Sequence, residues 1–538
     1  MNHAMFGFGR WREGAQRLTS TFGPARARTG ASPLRRVGVG TVLAAGLIEV
    51  GASAACAQPA CSGDWEVPGG FGSVGVSSHI TCAVLFDDGS GEAVYVGGSF
   101  ETAGGAVVNR IARWDGHVWS GLSGPTGTGI WHSAGSVYNP VVHALHVHDD
   151  GLGGGPALYV GGEFAFAGGE SAADLARWDG LGWSPVLDGA GRGVNGRVYA
   201  LATFDDGNGP GLYVAGSYQN AGGVRVNNIA RFDGNTWSPL AAGTNGWINA
   251  LAVFDDGRGP ALYAGGSISA ASGVVASRIA RWDGQSWSAL ADAHGEGLTP
   301  AAQSNVFALA ATGPGAPGGG DRFAGPPSLF VGGWFPLAGG RTANNIARWD
   351  GTQWHTLNGP NEVGLRGGWD ATARGLGFAA LDADKPGETL LVIGGQFWVT
   401  GPIWARNVAV WDGTILSPLI GPPQHGTTGR VDAVLPVTRR CLAPGSDGAP
   451  WQPAVLFGGT FSQAGAATVE NLSAYYGCGR SDQCPADANL DGTLDAADVL
   501  IMLDWLSLSN SAGDLNGDGE TDYFDLLAFL AALDAGCP

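Results

Sequence analysis

Charge is scarce in this chain. Only 14% of its 538 residues are Asp, Glu, Lys or Arg, and 28 basic residues face 47 acidic ones, for a net charge of -19. So few basic side chains cannot form the continuous positive face that a phosphate backbone requires, which argues against nucleic acid as a partner. Long apolar runs are missing as well. Beyond residue 57 no segment reaches the roughly 18 apolar residues of a membrane helix, so no membrane span is expected in the mature chain. No Lys or Arg follows Cys484, whereas eleven carboxylates do, which gives the acidity a local cause at one end. What the chain has in quantity is glycine (94) and tryptophan (20), a composition of tight turns and aromatic faces. It excludes a helical protein and predicts an all-β fold.

One unit recurs seven times. Aligned on the second residue of a Gly-Gly pair, which is Ala215-Gly216 in the third copy, the copies fall at Gly98, Gly162, Gly216, Gly266, Gly333, Gly395 and Gly459. Sixteen residues after each comes an aromatic: Trp114, Trp178, Phe232, Trp282, Trp349, Trp411 and Tyr475. Fixed spacing inside the unit, with 50 to 67 residues between copies, means a rigid repeat joined by variable links. Each copy resolves into four short extended segments, with Asp-Gly turns for which the type I′ geometry, positive φ at both central residues, is expected. Four strands in each of seven units predicts a seven-bladed β-propeller over residues 58–480. The paired glycines suit strands whose backbones crowd near an axis.

The seventh copy stops after Tyr475-Tyr476 and lacks its outer strand, while Ser62-Gly-Asp-Trp65 before the first copy matches the missing piece. The N-terminal segment is therefore expected to close the last blade. The cysteines agree with an exported chain: without Cys56 six remain, and position favours Cys61 with Cys478, Cys82 with Cys441, and Cys484 with Cys537. Residues 1–57 read as a signal peptide with a long basic leader, cleaved after Ala55-Cys-Ala57. Arg35-Arg36 leaves a twin-arginine route open. The expected location is secreted or cell-surface.

The Gly-Gly pair after a strand, then an aromatic, then a Trp a few residues on, resembles the kelch-type repeat of galactose-oxidase-like propellers, over about 420 residues. The resemblance implies the fold and leaves activity open, since that fold carries oxidases, lyases and pure binding proteins. Leu416 departs from the outer Trp and Tyr475-Tyr476 from Trp-Asp, and the tyrosine and histidine copper ligands of the oxidases cannot be placed on this sequence. Arg-Trp-Asp-Gly also resembles the Asp-box of sialidases, but its spacing differs; it reads as a hairpin staple in which Arg and Asp satisfy buried backbone.

Residues 484–538 carry explicit chemistry. Two twelve-residue loops place oxygen ligands at alternate positions: Asp487, Asn489, Asp491, the Thr493 carbonyl, Asp495 and Asp498, then Asp514, Asn516, Asp518, the Glu520 carbonyl, Asp522 and Asp525. Calcium takes about six to eight such oxygens, so two ions are expected. Asp at position twelve, no entering helix, and tandem duplication resemble dockerin domains of type I, an EF-hand-like pair of loops with short helices. The resemblance implies a cohesin-like or cell-surface protein partner, with Tyr523-Phe524 as a contact pair. A module this small needs the metal in order to fold.

No catalytic constellation is legible. The pair His146 and His148 on one strand face reads as structural, and the Asp-Asp-Gly triplets read as turns. The links between blades carry Trp131, His132, Trp247, Trp369 and Asp370, which would suit stacking on sugar rings and hydrogen bonding to their hydroxyls. The expected function is a non-catalytic binding or scaffold propeller, directed to carbohydrate or protein and attached through the calcium module. The alternative is a secreted glycoside hydrolase or lyase, for which Glu296, Glu362 and Asp370 are the first carboxylates to inspect.

Overall fold

A computed structural model describes residues 64–66 and 75–476, with breaks at 133–138, 189, 191–192, 299–303, 314–325, 359–362, 366–370, 380–388, 400–404, 415, 420–425, 439–452 and 466. These residues belong to the unit Cys56–Pro538, the second of two; the first unit, Met1–Ala55, lies outside them. All regular structure among them is β. Among the described residues no helix is long and apolar enough to cross a membrane.

The fourth repeat shows how the sequence makes its sheet. Ile248–Asp255, Pro260–Gly266, Ile279–Trp282 and Trp287–Ala289 pair antiparallel in chain order. Asp255-Asp256-Gly257 turns the first pair, with Asp255 Oδ1 accepting from Gly257 N at 2.9 Å and Gly259 N at 3.0 Å. Asp283-Gly284 turns the last pair, with Asp283 Oδ1 accepting from Gln285 N at 2.9 Å and Ser286 N at 2.7 Å. Only the glycine of Asp283-Gly284 lies at positive φ, 98°. The type I′ expectation is therefore corrected: the aspartate caps the following N–H groups itself and keeps an ordinary backbone. The triplets are turns, as read from sequence.

Seven four-stranded antiparallel sheets of this kind are present among the described residues. Their first strands touch in chain order, Ile80–Asp87 on Val141–His148, then Arg197–Asp205, Ile248–Asp255, Asn305–Ala311, Thr372–Ala379 and Arg430–Thr438, which returns to Ile80–Asp87. The result is a cycle of separate sheets, propeller-like, and not one sheet closed on itself. Buried apolar residues fall into seven clusters, one between each consecutive pair of sheets, including Val76, Ile80 and Trp114 with Ala433, Leu456 and Ala474 where sheet seven meets sheet one. Each face is covered by the next sheet, which is what a four-stranded sheet cannot do alone.

Asp64–Glu66 is the outer strand of sheet seven, antiparallel to Leu472–Tyr476 with Trp65 opposite Tyr475. That is the closure expected from the incomplete seventh repeat. In sheets one to five the same two positions hold an aromatic pair, as Trp282 opposite Trp287 with ring centroids 5.3 Å apart.

The glycine pair has two distinct causes. A β-bulge interrupts the first ladder of every sheet, in sheet four between Ile248 and Ala250. It folds backbone over the second glycine: a Cβ on Gly266 would lie 2.0 Å from the Trp247 carbonyl oxygen. The first glycine makes room for the neighbouring sheet, since a Cβ on Gly265 would lie 2.5 Å from a methyl of Val306. The crowding expected near an axis thus comes from a bulge within a sheet and a valine from the next.

Cys82 is a free thiol, and it is packed toward sheet two with its Sγ against the Gly97 backbone. The expected Cys82–Cys441 pairing is corrected accordingly: sheet seven packs through the cluster that holds Ile80, on the opposite side of the strand from the Cys82 thiol. Burial pushes that thiol up to about 12. Cys61, Cys441, Cys478, Cys484 and Cys537 lie outside the described residues.

Candidate functional site

The links between sheets do not hang free. Among the described residues, the incoming link of every sheet but the sixth pairs with the short hairpin between that sheet's second and third strands, as Thr244 does with Ala271, Val194 with Ala221 and Thr427 with Ala464. Asparagines at positive φ tie the preceding sheet to that link. Asn227 (φ 51°) donates through Nδ2 to Ala242 O at 2.9 Å, and Asn228 (φ 73°) to Thr244 O at 2.9 Å. Asn109, Asn344, Asn407 and Asn471 repeat the device. Asparagine tolerates this backbone region and its amide reaches the link, so both properties are used. An asparagine at one or both of the positions aligned with Asn227 and Asn228, in five of the seven copies, was a legible signal that the repeat alignment passed over.

Between sheets three and four these parts enclose an open groove of about 760 Å³. Its walls are mostly amide and hydroxyl: Asn195, Gln219, Asn227, Thr244, Asn245 and Ser272, with Arg225 on the hairpin. Trp247 stands in it, 54% exposed. Its backbone is fixed at both groups, N donating to Ser267 Oγ at 3.0 Å and O accepting from Ser267 N at 2.9 Å. An aromatic face held out of the core beside several amides is an arrangement for stacking a flat, hydroxyl-bearing ligand. A sister groove of about 620 Å³ lies at sheet seven, lined by Ser77, Thr428, Ser462, Glu470 and Asn471 and without an exposed tryptophan.

The bulges supply a second set of residues. One unpaired residue per sheet sits there: Thr81, His143, Tyr199, Asn249, Phe307, Arg374 and Asp432. They differ in every copy while their neighbours repeat, a signal visible in the sequence once the repeats are aligned. Several engage the next sheet: the His143 and Tyr199 rings meet edge-on at 5.1 Å, Arg374 lies 4.4 Å over Phe307, and Arg374 Nη1 is 3.6 Å from Asp432 Oδ1. Asp432 also meets His79 at 2.8 Å and Arg430 at 2.7 Å. Burial works to raise its carboxyl, but these partners outweigh burial and hold it below the usual range. The cluster is satisfied from within, as a structural belt would be.

Asp174 is the carboxyl that burial pushes up, to about 6, beside Glu163. Its position explains it. Asp174 Oδ1 accepts from Phe164 N at 2.8 Å, the bond that Asn345 and Asn407 make in their own sheets. It is an aspartate in an asparagine's structural place.

His146 Nε2 and His148 Nδ1 both meet Thr203 Oγ1, at 2.9 and 2.8 Å, across the junction of sheets two and three. They are hydrogen-bonded within the core, and no metal-binding cluster occurs among the described residues. Burial pushes His143 and His146 down to about 4 and lowers His148 against the pull of Asp150 and Asp149. The folded chain resists protons that the unfolded chain takes up near pH 6.5. The histidine contribution to stability should therefore be full above about pH 6.5, fall as pH drops toward 4, and level off below, by roughly 3 kcal/mol for His146 alone. Urea unfolding at pH 7 and 4.5 tests this: His146→Gln should flatten the difference, and an equally steep loss in the variant would refute the assignment.

The other expected site residues divide. Trp131 is half-buried, with its ring stacked on Phe166 at 6.2 Å, so it serves packing on the link between sheets one and two. His132 Nε2 is buried and makes no hydrogen bond among the described residues. Trp131 and Trp247 belong to different links and do not share a platform. The Arg-Trp-Asp-Gly aspartate does cap its turn, but the arginine turns mainly to a carboxylate: Arg281 Nε lies 3.0 Å from Asp256 Oδ2, with a weaker bond to Gly259 O. Asp256 belongs to the Asp-Asp-Gly turn of the same sheet, and Tyr263 donates to it at 2.8 Å. Asp88, Asp150 and Asp206 repeat the Asp–Tyr–Arg grouping. Trp369, Asp370, Glu362 and both calcium loops lie outside the described residues, as does the side chain of Glu296.

No family model matches this chain, and no curated protein does. Among solved structures it is similar to the extracellular domain of a protein described as a hybrid two-component system from B. thetaiotaomicron, at 11% identity and TM-score 0.39, covering 79% of this chain and 40% of that one. The V. cholerae biofilm matrix protein Bap1 matches at 12% identity and TM-score 0.25, over 78% of this chain and 70% of that one.

Proposed function

We propose that residues 58–480 form a seven-bladed propeller of kelch type that is exported and recognises a polysaccharide without cleaving it, and that residues 484–538 attach it to a protein partner through a module holding two calcium ions. The observation that carries this reading is Trp247, exposed and fixed over a groove of amides and hydroxyls whose lining contains no Asp or Glu. Sugar rings stack on such faces, and amides exchange hydrogen bonds with their hydroxyls. A glycoside hydrolase needs two carboxyl groups about 5 to 9.5 Å apart at the scissile bond, and this groove offers none.

The test is a polysaccharide binding screen with the full chain, with product analysis, run in calcium and in chelator. Binding without shortened products is expected, with Trp247→Ala lowering affinity at least about tenfold; cleavage, or binding indifferent to Trp247, would overturn the recognition reading. Calorimetry on the same chain should show two calcium ions bound, and no calcium uptake would sink the assignment of the tail.

A further inference from the structure

The lining of the groove between sheets three and four contains one charged side chain, and it is a cation. In a chain with 47 acidic residues and 28 basic ones, an open groove with an arginine and no carboxylate is a local reversal of sign. Arg225 is exposed, on the hairpin strand Val224–Arg225. Its Nε donates to Asn227 Oδ1 at 3.0 Å, and Asn227 is anchored in turn by its Nδ2 to Ala242 O at 2.9 Å on the link side. The guanidinium is thus steadied from one edge, and no acidic side chain among the groove's lining residues neutralises it.

The repeats provide an internal comparison. The position of Arg225 is Val107, Ser171, Val275, Thr342 and Thr468 in the other copies that have this hairpin, none of them charged. At the position of Asn227 the sister groove carries Glu470, which gives it the opposite sign on the same scaffold. The shared parts build the groove; Trp247 and Arg225 are what distinguish this one.

We infer that this groove selects an anionic saccharide, its ring on Trp247 and its acidic group, a uronic acid carboxylate or a sulfate ester, on Arg225. The inference rests on the recognition reading and adds the ligand's class. A planar guanidinium offers two parallel N–H donors to a carboxylate or sulfate, a fit that an ammonium does not reproduce.

Affinity electrophoresis and calorimetry with the full chain on polygalacturonate, a sulfated galactan and neutral xylan test it. One or both acidic polymers should bind, more weakly at about 300 mM salt than at about 50 mM because the contact is exposed. Arg225→Gln should weaken that binding about tenfold or more and leave the thermal midpoint unchanged, while Glu470→Gln in the sister groove should leave binding unchanged. Preference for polygalacturonate assigns a carboxylate ligand, and preference for the galactan a sulfate. If xylan binds, Trp247→Ala abolishes it and Arg225→Gln does not affect any polymer, the inference is wrong and the recognition reading survives. If no polymer responds to Trp247→Ala, both fall.

Discussion

Replacing Gly266 with alanine is expected to destabilise the protein by about 3 kcal/mol or more, and to abolish ligand binding in whatever fraction stays folded. The new Cβ would lie 2.0 Å from the Trp247 carbonyl oxygen and 2.9 Å from the Ile248 Cα, both backbone atoms of the bulge. Backbone cannot swing aside as a long side chain can, so the two strands must separate or the bulge must be rebuilt. The displaced carbonyl belongs to Trp247 and accepts from Ser267 N, so the change moves the aromatic platform directly. Gly273→Ala is the matched control. It lies at φ 86° with nothing within 4 Å of a built Cβ, so it isolates the backbone-conformation penalty, about 1 kcal/mol. Urea unfolding of both variants decides the matter. A loss at Gly266 no larger than at Gly273 would show that the bulge relaxes freely.

Asp256→Ala should cost about 3 to 5 kcal/mol, because it leaves the buried Arg281 without its charge partner. The Asp256 side chain is fully enclosed and that of Arg281 is 6% exposed, with Nε 3.0 Å from the carboxylate; Tyr263 and Arg258 also donate to it. Burial alone would raise the Asp256 carboxyl, but these donors and the Arg281 charge hold it below the usual range, so its contribution is present at neutral pH and lost only in acid. Replacing both buried partners, Asp256→Leu with Arg281→Met, should recover most of the loss, since no buried charge is then left uncompensated and Arg258, 56% exposed, is solvated. The equivalent Asp88 is 9% exposed and 3.3 Å from Arg113, and its alanine variant should cost less. Chemical denaturation of the single and double variants reads all of this. A double variant as unstable as Asp256→Ala would mean that the carboxylate supports the turn and does not serve the ion pair.

The repeat frame was legible because its spacing is set by short-range chemistry. Gly-Gly, Asp-Gly and the aromatic pair each fix a local conformation, and seven copies let their positions be read without knowledge of the contacts. The missing outer strand of the seventh copy, with Trp65 in reserve, even revealed a pairing between distant parts of the chain. What could not be read was which neighbour a side chain faces. Cys82 belongs to a strand that touches sheet seven, yet its thiol lies on the side of sheet two, and one residue of bulge decides which. The Arg-Trp-Asp-Gly arginine likewise required the ladder register before Asp256 could be seen as its partner. In the groove, Trp247 was legible as a lone aromatic in a variable link. Arg225 was not, because it lies inside the repeat, where substitutions look like drift until the groove shows which one lines it.

The outer strand of sheet seven has a consequence in time. Asp64–Glu66 and Leu472–Tyr476 are hydrogen-bonded neighbours separated by about 410 positions of chain. A chain made from its N-terminus releases the first of these before any complete sheet exists and the second after six sheets have had time to assemble. The clasp is therefore the last long-range step, and its rate is set by loop closure over the whole ring. Until it shuts, sheet seven presents an unpaired edge, and at high concentration the strand that reaches it first can come from another copy. Crowded synthesis would then yield linked rings with every local contact correct.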